Sequence, residues 1–139
     1  MDESRRFIVH REPKGKQRHR MTRSGHAYTP ADTTTYEGIV RSEYTTQVGD
    51  VPPFLGPVSV CIIAYYEIPS SWSKKKKKEA ADYKIHPTKK PDCDNIANMI
   101  CDALNGLAWK DDAQVVHLNV VKAYTNIIPR VDVSIRPME

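Results

Sequence analysis

Two short acidic runs carry the chemistry this sequence is equipped for: Asp92 and Asp94 in KKPDCDN, and Asp111 and Asp112 in WKDD. Carboxylates are hard oxygen donors. Mg²⁺ accepts one or two of them and keeps its other positions for water and phosphate oxygens. In an extended stretch, residues two apart point the same way, so Asp92 and Asp94 would reach one ion while Cys93 turns inward. A third acid, Asp111 or Asp112, would come from across the fold at the mouth of the following strand, where only one of two neighbours faces the site. The plainer reading makes Asp92 and Asp94 caps at the positive end of a helix. An EF-hand is excluded, because Ile96 and Ala97 stand where further ligands and a glycine belong. Asp102, mid-helix on a polar face, is expected to be solvated or to make a structural hydrogen bond.

The charge distribution favours the metal. The chain is modestly basic, net +4 with a pI near 9.0, but unevenly so. Residues 5–23 hold eight Lys/Arg and residues 74–90 hold eight more, together 16 of the 21 basic residues. Residues 92–112 hold five acids against the single base Lys110. Basic segments around an acidic pocket attract a polyanion and then present carboxylates to it. Carboxylates repel phosphates unless a divalent cation sits between them. The basic loop at residues 14–23, exposed and flexible by composition, is the stronger DNA contact. The lysine run 74–78 is balanced evenly between a solvated face and phosphate contact.

The elements that must position these groups follow from periodicity. FIVHRE at 7–12 reads as a strand stopped by Pro13, and the Gly- and Pro-containing stretch 13–30 as a loop. A helix begins near 32–34, where Thr34 and Glu37 have capping-box spacing and Tyr36, Ile39, Val40 and Tyr44 recur at helical intervals. Val58–Ile68, β-branched and aromatic on both alternating faces, suits a strand covered on both sides. Lys74–Lys78 open a solvent-facing helix. The clearest helix spans 95–107, with Ile96, Met99, Ile100, Ala103, Leu104 and Leu107 as its apolar stripe and Gly106 as its left-handed stop. Residues 114–124 and 131–136 read as strands joined in an antiparallel hairpin. The order is an α+β one, a small sheet packed on helices.

At 139 residues, 40% hydrophobic and 27% charged, with a mean hydropathy of -0.57, the chain suits one packed domain. No run of about 18 apolar residues suggests a bilayer span, and the first residues lack a secretory pattern. Cys61, Cys93 and Cys101 lack Cys-x-x-Cys spacing, so a buried, reduced thiol is expected for each. The five histidines show no ligand spacing. Trp109, beside Leu107, is expected to pack; with Trp72, it is the other residue type suited to stacking on bases.

The stretch KKPDCDNIANMICDALNGLAWKDDAQVVHLNVVKAY resembles the RusA family of Holliday-junction resolvases, common in phages and prophages. PKGKQRHR with AYTPADTTTYE is similar to the family's basic N-terminal segment, and IPSSWSKKKKKEA to its middle, so the likeness spans roughly residues 7–136. PDxDN, DALNG and WKDDAQV together are far more specific than any one alone. The resemblance implies a single RusA-like domain over residues 1–139, a small mixed β-sheet packed against helices, carrying a basic loop at 13–30 and a lysine-rich segment at 74–90. It implies a cytoplasmic, nucleoid-associated homodimer that cuts four-way DNA junctions symmetrically with Mg²⁺, or Mn²⁺ in its place.

On this resemblance the catalytic and metal-holding acids are Asp92, Asp94 and Asp112. The family usually carries a lysine one turn into the helix after PDxDN; here that position is Asn98. Its phosphate contact is then absent or falls to Lys89, Lys90 or Lys110. The expected DNA-binding set is Lys14, Lys16, Arg18, Arg20, Arg23, Lys89, Lys90 and Lys110. The dimer would form through the exposed face of the last hairpin or through helix 33–48 with Tyr36 and Tyr44. Two other readings compete: a junction-binding protein without activity, and a nuclease for other branched DNA.

Overall fold

The structure, a computed structural model, describes residues 3–16, 20–21, 25, 27–28 and 31–138. The central strand decides the architecture. β4 (Val58–Glu67) is the most apolar stretch of the chain, and it pairs in parallel with β5 (Val115–Thr125) on one side and antiparallel with β6 (Arg130–Pro137) on the other. β1 (Arg5–Val9) pairs antiparallel with β6, giving a mixed four-stranded sheet in the order β1-β6-β4-β5. A two-residue pair, β2 (Arg20–Met21) with β3 (Ala27–Tyr28), lies within what the sequence reads as loop.

The expected hairpin of the last two strands is therefore corrected: β4 lies between them. The four residues from 126 to 129 reach about 13 Å when extended, enough to step over two inter-strand spacings of about 5 Å each. A short link alone does not enforce adjacency when a more apolar strand competes for the central place.

Three helices complete the domain: α1 (Ala31–Val48), α2 (Lys74–Ala81) and α3 (Cys93–Leu104). Val60, Ile62, Ala64 and Tyr66 of β4, with Val131, Val133 and Ile135 of β6, face one core with Phe7 and Val9. Into it α1 places Tyr36, Val40 and Tyr44, and α3 places Ile96, Met99, Ile100, Ala103 and Leu104. Phe7 meets Tyr44 edge-on, ring centroids 5.4 Å apart. Arg41 ties α1 to the end of α3 by donating to the Ala103 carbonyl at 3.1 Å. Tyr36 and Tyr44 are thus core residues, and α1 offers no tyrosine face to a second chain.

The opposite sheet face, with Cys61, Ile63 and Tyr65 on β4, is only half-buried, so β4 is central but covered by helices on one side. Thr34 lies inside α1 rather than at its start, and Glu37 binds Lys16 instead of closing a capping box. No helix among the described residues is long and apolar enough to cross a membrane.

Candidate active site

Asp92 is the N-cap residue of α3, in extended geometry, but its side chain makes no capping hydrogen bond. Asp94 is exposed in the first turn. Because the helix begins at Cys93, the extended spacing expected of Asp92–Asp94 does not hold: the pair is placed by a helix start instead. Cys93 does not turn inward. It is exposed, its Sγ 3.9 Å from the Val120 carbonyl on β5. Tyr66 braces this helix start by donating to the Pro91 carbonyl at 2.8 Å.

The second acidic pair sits on a 3-10 turn (Asp112–Gln114), not on a strand. Asp111 is its cap and accepts from the Ala113 N–H at 3.2 Å. Asp112 Oδ1 accepts from Trp109 Nε1 at 2.8 Å. Trp109 is fully buried, so its N–H needs an acceptor and Asp112 supplies it. Gln114 ties the turn down from both ends of its amide. Oε1 accepts from the Lys110 and Asp111 N–H groups (2.8 and 3.1 Å), while Nε2 donates to the carbonyls of Phe54 and Gly56 (2.8 and 2.9 Å). Sequence reasoning missed Gln114; its place in WKDDAQV was the available signal. Gly106, at φ +80°, makes the reversal between α3 and this turn.

Asp112 lines an open cleft of about 330 Å³ with Asn98, Cys101, Asp102 and the first residues of β5. β5 runs antiparallel to α3, bringing Asp112 beside Cys101 while Val120 lies beside Cys93. Asp112 is therefore displaced along α3 from Asp94, by about 6 Å of rise to Asn98 and about 10 Å to Cys101. Burial, reinforced by the charges of Asp112 and Asp102, pushes the Cys101 thiol up to about 12. None of the three thiols is fully buried.

Among the described residues, no group of three or more His, Cys, Asp or Glu side chains converges to hold a metal ion. The donors present suit a divalent cation held by one or two carboxylates and completed by water and phosphate, not a closed cage of three within one chain. At the head of α3 the ion would meet Asp92 and Asp94; Asp112 approaches from the cleft.

The start of the basic loop is docked rather than free, contrary to its composition. Gly15 packs so tightly against Pro91 and Asn95 that a Cβ there would lie 2.8 Å from the Cβ of each. The Lys16 N–H donates to the Asn95 carbonyl at 2.9 Å. Lys16 Nζ lies 2.9 Å from Glu37 and 3.2 Å from Asp102. Burial disfavours this ammonium, but the hydrogen bonds to Glu37 and Asp102 outweigh it and raise the lysine's pKa. Asp102 thus has the structural role expected of it.

Lys14 pairs with Asp32 at 2.9 Å. Arg18 and Arg23 lie outside the described residues, and Arg20 is on β2. Lys89 and Lys90 are exposed beside Pro91, and Lys110 is exposed at the acidic turn. His10, His86 and His117 are engaged by Glu43, the Lys122 carbonyl and Ser59 respectively.

A profile of the family described as Endodeoxyribonuclease RusA matches residues 11–136. A Bacillus subtilis (strain 168) relative, "Uncharacterized protein YqaN", is 40% identical over 139 residues, covering 94% of each chain. Both acidic runs, the α3 helix between them and the docked loop fall inside the matched region. The chain belongs to the RusA family of divalent-metal-dependent endodeoxyribonucleases that act on branched DNA junctions.

Proposed function

We propose that this protein resolves four-way DNA junctions by symmetric, Mg²⁺-dependent phosphodiester hydrolysis, acting as a homodimer. The observation that carries the reading is the Asp92 carboxylate at the head of α3, which makes no capping hydrogen bond and is the first acid of this chain's PDCDN run. In this reading Asp92 and Asp94 at the head of α3 and Asp112 from the cleft hold one or two Mg²⁺ ions, with Mn²⁺ as a substitute. The bound ion supplies an activated water and charge stabilisation at the scissile phosphate. Trp109 orients Asp112, while Asp111 and Gln114 fix the turn that carries it. Lys14, Lys16, Arg18, Arg20, Arg23, Lys89, Lys90 and Lys110 are the proposed backbone contacts, which position the junction without reading its sequence.

A two-fold symmetric junction calls for a two-fold symmetric enzyme. The outer edge of β5, which pairs with no strand among the described residues, supports a dimer, with Val116 60% and Leu118 45% exposed. An exposed apolar edge strand is a ready template for pairing. Both residues line the Asp112 cleft, so a second copy seated there would border the acids.

Two observations favour the alternative of a junction-binding protein without activity: among the described residues no three acids converge, and position 98 is Asn. A synthetic four-way junction incubated with and without Mg²⁺ separates the readings. Nicked duplexes at symmetric positions are expected; a shifted complex with no cleavage at any Mg²⁺ concentration overturns the enzymatic reading. Flaps and forks in the same assay test the choice of substrate.

A further inference from the structure

The structure sorts the two basic regions by what already neutralises them. Lys14 and Lys16 spend their charge inside the molecule, on Asp32, Glu37 and Asp102. Among the described residues, no ion pair reaches any of Lys74–Lys78 on α2. These five lysines open an eight-residue helix whose first turn has no acid. The helix dipole presents its positive end there, so Lys74–Lys77 oppose both one another and the backbone, whereas Lys78 falls in the last turn, where the dipole favours it. Only Lys76 has a fixed place, its Nζ 4.0 Å from the Trp72 ring, and Trp72 in turn packs on Tyr124.

A cleft lies between the segment that leads into this run and the segment that leads into Asp92. The Ser70–Ser71 segment just before α2 forms one wall of a cleft of about 500 Å³, and Lys89, Lys90 and Pro91 contribute the wall leading to Asp92. Glu12 and Glu67 line the same cleft, so the cleft itself is mixed in charge, while the first five residues of α2 beyond it are all lysine.

We infer that Lys74, Lys75, Lys77 and Lys78 form a phosphate-binding surface for a duplex arm of the substrate, continuing past Lys89 and Lys90 toward Asp92. This rests on the nucleic-acid reading above and extends it to residues that sequence alone left undecided. The paired lysines of the N-terminal loop contribute less to the salt-sensitive grip, because their counter-charges are built in.

The test is a salt titration of binding to a labelled four-way junction and to a linear duplex. It compares wild type, the quadruple variant Lys74→Gln, Lys75→Gln, Lys77→Gln, Lys78→Gln, and the double variant Lys14→Gln, Lys16→Gln. Each phosphate contact contributes about -0.9 to the slope of log affinity against log salt. The quadruple variant is expected to flatten that slope by about 2–3 on both DNAs, with a Tm equal to or above wild type because repulsion is relieved. The double variant is expected to flatten it less. The four Lys→Arg replacements, keeping the charge, are expected to keep the slope.

An unchanged slope in the quadruple variant, or a flattened slope accompanied by a lowered Tm in both the Gln and Arg sets, overturns the inference. Wild type that binds DNA without cutting it removes the enzymatic reading and leaves this one to be judged on the slope. Wild type that binds neither DNA removes both.

Discussion

The indole N–H of Trp109 and the carboxylate of Asp112, 2.8 Å apart, couple the core to the acid site. Trp109 is fully buried, whereas Asp112 lines the open cleft beside α3. The hydrogen bond sets where one acid can be, three residues from its donor. Asp112→Asn keeps an acceptor and is expected to hold stability near wild type. Asp112→Ala leaves a buried N–H unpaired and is expected to cost about 1–3 kcal/mol. Both are expected to lose cleavage. Thermal unfolding and junction nicking, measured side by side, check the pair; equal stability of the two variants would mean the bond has no such role.

Asp92 makes no capping hydrogen bond, so its removal has little structural cost. Asp92→Asn is expected to abolish cleavage in Mg²⁺ while junction affinity stays equal or rises, one repulsive charge being gone. A gel-shift and a cleavage time course on the same preparation check this. Wild-type cutting by both Asp92→Asn and Asp112→Asn would remove these acids from the chemistry.

Gly15 has no room for a side chain against Pro91 and Asn95, whereas a Cβ at Gly56 meets nothing within 4 Å. Gly15→Ala is expected to destabilise by about 1–3 kcal/mol, the ordinary range for overpacking, and to weaken junction binding as Lys14 and Lys16 shift. Gly56→Ala is the control, expected to unfold at the wild-type temperature. Denaturant melts of the two variants decide it.

The Lys16 pair with Glu37 and Asp102 has a pH signature. Its folded pKa is raised above the ordinary lysine value of 10.5. The contribution is therefore fully present below that value and is lost as pH rises through the folded pKa. The Tm difference between wild type and Lys16→Met is expected to stay constant between about pH 7 and 9 and to shrink at more alkaline pH. A difference independent of pH up to the alkaline limit would mean that packing, not charge, gives Lys16 its role.

Burial and two neighbouring carboxylates push the Cys101 thiol up to about 12, while Cys93 is exposed beside the acids. Iodoacetamide near neutral pH is expected to alkylate Cys93 first and to reach Cys101 only when the protein is unfolded, since the thiolate is the reacting form. Peptide mapping by mass spectrometry reads the order directly.

Local pattern carried much of this molecule. The apolar stripe from Ile96 to Leu104 defined α3 and its buried face, because helical periodicity depends on near neighbours alone. The alternation of Val131, Val133 and Ile135 likewise gave β6 its core side. The motif residues PDCDN and WKDDAQ marked both acidic runs, and membership of the RusA family was legible in them.

What the order of residues could not settle was which partner each group meets across the fold. Strand adjacency depends on competition for the sheet centre, so β4 displaced the expected hairpin. Charge in a sequence is only formal charge. Contacts 21 residues and more away turned Lys16 into an internal ion pair, while among the described residues no ion pair reaches Lys74–Lys78. Asp92 and Asp94 could be assigned to one end of a helix from spacing alone, but the position of Asp112 along that helix was set by Trp109, Gln114 and the direction of β5. Those are long-range packing relations, and they are fixed only when the core closes.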